Sequence, residues 1–260
     1  MTIKDFSIVT ETPAGKASQE QLAMLYARYR FAADYCRGKS VLEVGCGAGL
    51  GLGLLAQAAE RVVGGDIHEE NLQFARAHYQ SRLNVEIRKI DAHSLPFVND
   101  SFDVVILFEA IYYLADPDQF LKECGRVLRS GGLVIVCSAN KECDGFNPSP
   151  FSVKYFSALE LSEWFNKQGF ESKIFGGFPM TANTASQRMI QTIKKKAVRL
   201  NLIPKTMQGK EWLKRLFYGG LSEIPAEIKE GMVPYQAPVE MPDFKDASSY
   251  KVLYAAGTKK

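Results

Sequence analysis

The sequence predicts an α/β fold: a doubly wound, mostly parallel sheet with helices on both faces. Three observations carry this. Short apolar runs near 41–44, 61–67, 84–90, 102–108 and 133–137 alternate with segments of helical spacing. The first run leads directly into glycines at every second position, Gly45, Gly47, Gly49 and Gly51, after which Leu54, Leu55 and Ala58 take up a helical rhythm. Acids mark the ends of the first three runs: Glu43, Asp66 and Asp91. In open sheets of this kind ligands bind at the carboxyl edge of the strands.

Taken in order, residues 1–16 read as irregular, with Thr12, Pro13 and Gly15 as loop signals. Ser18 can cap a helix reaching about Arg37, with Leu22, Leu25, Tyr29 and Ala33 along one apolar face. Val41, Leu42 and Val44 form a buried strand. After the glycine turn and its helix, Arg61–Ile67 is a second buried strand ending at Asp66. A carboxylate there can accept hydrogen bonds from both hydroxyls of a ribose, or it can cap the helix over Glu69–Gln80. Asn84–Ile90 alternates as a third strand, leading to Asp91-Ala92. Phe102–Phe108 is the fourth, followed by Glu109-Ala110-Ile111-Tyr112-Tyr113. Asp116-Pro117 opens a helix through Val127, stopped at Ser130-Gly131-Gly132 before a fifth strand, Leu133–Cys137. Residues 139–156 form a loop rich in aromatics, and Ser157-Ala158-Leu159-Glu160 is a capping box for a helix to about Gln168. Ser172–Gly176 and Tyr250–Ala256 read as the last two strands.

The glycine register separates the ligands such a turn can hold. A dinucleotide fingerprint needs glycine at the first, third and sixth places, but the sixth is Leu50 counted from Gly45 and Leu52 counted from Gly47. A phosphate-binding loop fails as well, because Ala33 stands where the first glycine before Gly38-Lys39-Ser40 belongs. What remains is acid-x-Gly-x-Gly-x-Gly beginning at Glu43. Glycine-rich turns also occur without any ligand. This one, however, is followed in order by Asp66, by Asp91, and by Leu128-Arg129-Ser130-Gly131-Gly132 before an apolar strand. The combination resembles the class I S-adenosylmethionine-dependent methyltransferases over about residues 40–138.

The resemblance implies a seven-stranded sheet in the order 3-2-1-4-5-7-6, the last strand antiparallel, under an N-terminal covering helix. It makes S-adenosyl-L-methionine the expected cofactor. Its expected contacts are Glu43, Gly45, Cys46, Gly47 and Gly49 in the turn, and Asp66 on the ribose with Ile67 against the adenine. Asp91 would accept from the adenine amino group, and the Ala92 N–H would meet a ring nitrogen. Tyr29 and Arg28 from the covering helix, with Phe108 and Glu109, would neighbour the methionine end. Such a cofactor carries an electrophilic methyl carbon, so the protein must align acceptor and donor and exclude water. A hydroxyl acceptor usually also needs a base. Candidates at the strand edge are His93, whose ordinary pKa of about 6.5 suits neutral pH, then Glu109, with Tyr112 and Tyr113 beside them. His93 can equally be a plain loop histidine, and Glu109 a support for the backbone.

The chain reads as one domain over 1–260, its core at 38–180 and 248–260 and an insertion at about 181–247. Arg188–Arg215 holds nine basic residues and one acid, Glu211, around an apolar stripe of Met189, Ile190, Ile193, Ala197 and Leu200. A helical lid over the acceptor is one reading of it; a solvated face packed on its own domain is the other. The net charge of +3 is too small to argue for nucleic acid by itself. The turn after the fourth strand lacks the Asp/Asn-Pro-Pro-aromatic motif that resembles base and amide methylation, so no DNA partner is expected. Five cysteines without a CxxC pair argue against a disulfide framework or a zinc site, and three histidines lack metal-ligand spacing. No signal peptide or apolar span is visible, so the expected location is cytoplasmic. The expected activity is methyl transfer to oxygen or nitrogen of a small molecule. An acceptor on RNA, protein or a membrane, or a non-catalytic binding role, stays open as the alternative.

Overall fold

The computed structural model describes residues 10–180 and 220–260. Its main sheet has eight strands in the order β4-β3-β2-β5-β6-β10-β7-β9. These are β2 (Ser40–Val44), β3 (Arg61–Asp66), β4 (Val85–Lys89), β5 (Phe102–Phe108), β6 (Leu128–Ala139), β7 (Phe170–Pro179), β9 (Val239–Glu240) and β10 (Tyr250–Lys259). Strands β4 to β6 run parallel, whereas β10 pairs antiparallel with both β6 and β7. The strand order reverses at β2, which has β3 on one side and β5 on the other. A crevice therefore opens at its carboxyl end.

Side chains alternate across this sheet into two cores. Val41, Val62, Val104, Ile135 and Tyr254 face helices α1 (Gln19–Cys36), α2 (Leu52–Ala58) and α3 (Glu69–Tyr79). Leu42, Val63, Val105, Val134 and Leu253 face α4 (Pro117–Val127) and α5 (Ala158–Lys167). Each fully buried aliphatic side chain contributes about 1.5–3 kcal/mol relative to exposure. A one-residue slip in any strand would exchange the two cores.

Local chemistry sets the helix starts. The Ser18 hydroxyl accepts from the Gln21 N–H at 3.2 Å while the Gln21 side chain accepts from the Ser18 N–H at 3.1 Å. Ser157 and Glu160 make the same reciprocal box at α5. Asp116 caps α4 through the Gln119 N–H at 3.0 Å, with Pro117 in the first turn. Helix α3 begins after His68, so Asp66 is not its cap residue. Strand β6 starts earlier than the expected Leu133. Leu128 already pairs with Phe102, and residues 129–132 bulge out before Leu133 meets Val104, with Gly131 at φ +73°.

The insertion is described only in its second part. Residues 181–219, including the whole basic stretch and its apolar stripe, on which the expected helical lid rested, lie outside the described residues. The remainder, 220–247, contains no α-helix among its described residues and lines none of the cavity below. It forms a strap instead. Strand β8 (Ser222–Glu223) pairs with β1 (Lys16–Ala17). Ile224 and Ile228 then enter the α1–α3 core. The Tyr26 hydroxyl donates to Glu230 at 2.9 Å and accepts from the Gly231 N–H at 3.0 Å. Helix α1 is buried on more than the expected Leu22–Ala33 face: the strap covers Tyr26, while Phe31 packs on Phe175 and Tyr254 of the sheet. Among the described residues no helix is long and apolar enough to cross a membrane.

Candidate active site

At the carboxyl ends of β2, β3 and β5 the chain encloses a cavity of about 460 Å³. Its floor is the turn after β2, where Gly45 and Gly47 take φ of +69° and +54°, a region costly to side-chain-bearing residues. Cys46 lines the floor between them, its thiol pushed up by burial. Asp66, 8% exposed, ties this turn to the end of β3. Its Oδ2 accepts from the Gly47 N–H at 2.9 Å and its Oδ1 from the His68 N–H at 2.8 Å. A carboxylate has about four acceptor positions, so two amide donors leave capacity for a diol.

Beyond Asp66 the wall is apolar, formed by Ile67, Ile90, Ala92 and Leu107. Asp91 closes that end. Its Oδ1 accepts from the His93 N–H at 2.9 Å and meets His93 Nδ1 at 2.8 Å. Burial pushes the Asp91 carboxyl up, but the His93 contacts outweigh it and hold the group below the usual range. His93 lines the cavity, yet both its ring nitrogens are engaged, because Nε2 accepts from the Asp116 N–H at 3.2 Å. This corrects the expectation that His93 is the first choice of base: it must surrender that amide before it can take a proton.

The opposite end is charged. Arg28 on α1 is 8% exposed and pairs with Glu11, and its Nε is buried without a hydrogen-bond partner. Glu109 stands opposite on the turn after β5, at φ +51°, an uncommon state for a non-glycine residue. Its Oε2 accepts from the Tyr112 hydroxyl at 2.9 Å, and its Oε1 lies 3.6 Å from Cys137 Sγ. Burial raises the Glu109 carboxyl above the ordinary range against the opposing charge of Arg28. Tyr112 and Tyr113 sit on the 3-10 turn Ile111–Tyr113 and both face the cavity. The Tyr113 hydroxyl meets Ser149 Oγ at 2.5 Å, and Tyr112 stacks on Tyr155 at 4.4 Å, so the aromatic loop is fastened to this wall.

Tyr29 also lines the cavity, edge-on to Phe108 at 5.2 Å. Its ring lies so close to Gly51 that a Cβ there would stand 2.0 Å away. Its hydroxyl donates to Glu43 Oε1 at 2.6 Å. Glu43 is 1% exposed and does not line the cavity, correcting its expected direct contact: Tyr29 stands between. Burial raises its carboxyl to about 7, and Oε2 has no partner. Gly49 is the third correction. It is glycine because a Cβ would lie 2.8 Å from that of Ala75 on α3, and it does not line the cavity.

Of the expected residues, the cavity brings together Tyr29, Gly45, Cys46, Gly47, Asp66, Ile67, Asp91, Ala92, His93, Phe108, Glu109 and Tyr113. It adds Glu11, Gln21, Met24 and Lys251, which sequence reasoning missed. Gln21, Leu25 and Arg28 follow helical i, i+4, i+7 spacing, a polar interruption of the α1 stripe that was the available signal. Glu11 and Lys251 carried none.

These features fit S-adenosylmethionine: an acid beside a glycine turn, an apolar slot ending at Asp91, and a buried arginine with an unused N–H where a carboxylate would lie. Comparison with known proteins agrees. A family described as a methyltransferase domain matches residues 42–136. A Mycolicibacterium smegmatis protein named a probable S-adenosylmethionine-dependent methyltransferase is 40% identical over 149 residues, 55% of this chain and 56% of that protein. A ubiquinone biosynthesis O-methyltransferase of Mesorhizobium japonicum is 32% identical over 124 residues, 47% of this chain and 50% of its own length. The chain thus spans about half the length of the curated relatives it matches. The crystal structure of the YcgJ protein from Bacillus subtilis superposes with a TM-score of 0.59 at 18% identity, covering 93% of this chain and 99% of that one. At that identity the likeness speaks to the fold alone. The sequence match falls on the strands and turns that build the cavity: residues 42–136 match a methyltransferase domain, and over about half its length the chain is similar to S-adenosylmethionine-dependent methyltransferases.

Proposed function

We propose that this protein transfers a methyl group from S-adenosylmethionine to an oxygen or nitrogen atom of a small-molecule acceptor, oxygen being the better fit. The observation that carries the reading is the cavity itself, which places Asp66 and Asp91 at one end and Arg28 and Glu109 at the other. Bound there, the cofactor supplies a methyl carbon made electrophilic by its sulfonium sulfur.

The remaining work falls to side chains. Asp66 holds the ribose hydroxyls with the acceptor capacity its two amide bonds leave. Ile67, Ile90 and Leu107 pack the base, with Asp91 and the Ala92 N–H at its polar edge. Arg28 takes the methionine carboxylate. Glu109, with its raised carboxyl, accepts the proton that a hydroxyl acceptor loses as its oxygen gains the methyl group. Met24, Leu25, Tyr112, Tyr113 and Val252 supply a partly apolar wall for a small organic acceptor. Two relatives of known naming, including the O-methyltransferase of Mesorhizobium japonicum, favour oxygen over nitrogen.

The test is to incubate the protein with methyl-labelled cofactor and matched panels of phenols and primary amines, then identify labelled products by mass. Label on phenols, falling by about a hundredfold or more in Glu109→Gln, supports the reading. Label confined to amines and indifferent to that substitution overturns the oxygen assignment, and no label on any acceptor of either panel overturns the activity.

A further inference from the structure

The glycine turn is held from behind, on the side away from the cavity. Tyr79, the last residue of α3 and 3% exposed, donates its hydroxyl hydrogen to the Gly49 carbonyl at 2.8 Å. The same oxygen accepts from the Gly53 N–H at 3.0 Å. One phenol thereby joins the turn to the first turn of α2. Arg82 donates to the Gly53 carbonyl at 3.2 Å and to Glu227 Oε1 at 3.0 Å, its guanidinium 5.5 Å over the Tyr79 ring. Glu227, from the strap, meets His78 Nε2 through its other oxygen at 2.8 Å. The neighbouring Ile228 N–H donates to the Leu50 carbonyl at 2.8 Å, and Leu50 lines the cavity.

Gly53 shows how tightly this group closes. A Cβ there would stand 1.9 Å from Glu227 Oε1 and 2.7 Å from Arg82 Nη1. Four backbone groups between 49 and 53 are therefore bonded to α3, to the segment after it, or to the strap. None of Tyr79, Arg82 and Glu227 lines the cavity.

We infer that Tyr79 is a positioning residue for the cofactor turn, and that Glu227 of the strap completes the clamp. Together they fix the backbone of 45–53 in the shape presented to the nucleoside. The strap then sets cofactor affinity from outside the cavity. The inference rests on the reading that this turn holds S-adenosylmethionine.

The isosteric variant Tyr79→Phe removes both phenolic hydrogen bonds and little else. Amide hydrogen exchange in the ligand-free protein reads the clamp without any cofactor. Exchange about tenfold faster at 47–53, with β5 and β6 amides unchanged, supports it. Unchanged exchange at 47–53, or acceleration spread evenly over the sheet, overturns it. The Kd of S-adenosylhomocysteine rises about tenfold in the same variant; a wild-type value overturns the link to cofactor affinity. If the wild-type protein bound none of that ligand, the proposed function would fall while exchange still judged the clamp. A double-mutant cycle tests Glu227. Gly53→Ala accelerates exchange at 47–53 in the wild-type background and adds less in Glu227→Ala, where only the Arg82 contact remains, whereas equal effects in the two backgrounds overturn the part given to Glu227.

Discussion

The two sides of the glycine turn are built on opposite rules. On the back, the Tyr79 hydroxyl is used as both donor and acceptor, and the Gly49, Leu50 and Gly53 backbone groups each find a partner. On the front, acceptor and donor capacity is left over. Arg28 Nε is buried without a partner, and Asp66 spends its carboxylate on only two amides. An unmet buried polar group costs about 1–3 kcal/mol, so a fold retains it where a ligand can repay it. Around this turn, spare capacity at Arg28 and Asp66 faces the cavity, and full pairing holds the backbone behind it. Substitutions on the front are therefore expected to change binding or transfer directly, and those on the back to loosen the turn first and change binding only through it.

Glu109→Gln makes the sharpest case. Transfer to a hydroxyl acceptor is expected to fall by about 10²–10⁴, while cofactor affinity, read by calorimetry, stays within about threefold. A matching loss of affinity would move Glu109 from proton acceptance to cofactor binding. Asp66→Ala comes next. Losing charged hydrogen bonds worth about 1–3 kcal/mol should weaken S-adenosylhomocysteine binding by roughly tenfold to a hundredfold. Binding at wild-type strength would refute the ribose assignment.

Glu43 lies behind Tyr29, and pH reads its state. Its carboxyl is raised from the ordinary 4.5 to about 7 in the folded protein. The folded state therefore binds more protons than the unfolded state between those values. Its contribution to stability is fully present below pH 4.5 and is lost as pH rises through about 7. In Glu43→Gln that part of the Tm-against-pH curve should flatten, by an amount on the order of a few kcal/mol across the window. An unchanged slope would show that Glu43 does not titrate there. The smallest effect is expected at a helix start: Ser18→Ala, which removes one half of a capping box, should cost about 1 kcal/mol and lower Tm by roughly 2–4 °C, with cofactor affinity untouched.

How much of this was legible in the sequence follows from how local each feature is. The helix starts at Ser18, Asp116 and Ser157 were readable because cap and partner lie three residues apart. The glycine turn and Asp66 were readable because a tight bend and a strand-end acid leave a fixed spacing. The strap was not. Its strands β8 and β9 are two residues long, and Ser222 and Glu223 pair with residues about 200 positions earlier, so no periodicity announces them. Gly49 was misplaced because a glycine needed for the approach of Ala75 looks identical in sequence to one needed for a ligand. His93 was overrated for a related reason. Its partners Asp91 and the Asp116 amide come from two separate loops, and only their convergence shows that the imidazole is occupied. Glu11 and Lys251 reach the cavity from an irregular segment and from the start of the last strand, positions that carry no pattern of their own.

Titration calorimetry with S-adenosylhomocysteine tests the central claim most directly. The account predicts a single-site heat for the wild-type protein, strongly reduced in Asp66→Ala. No heat from that compound or from S-adenosylmethionine, together with clear binding of a nicotinamide or flavin nucleotide, would contradict it.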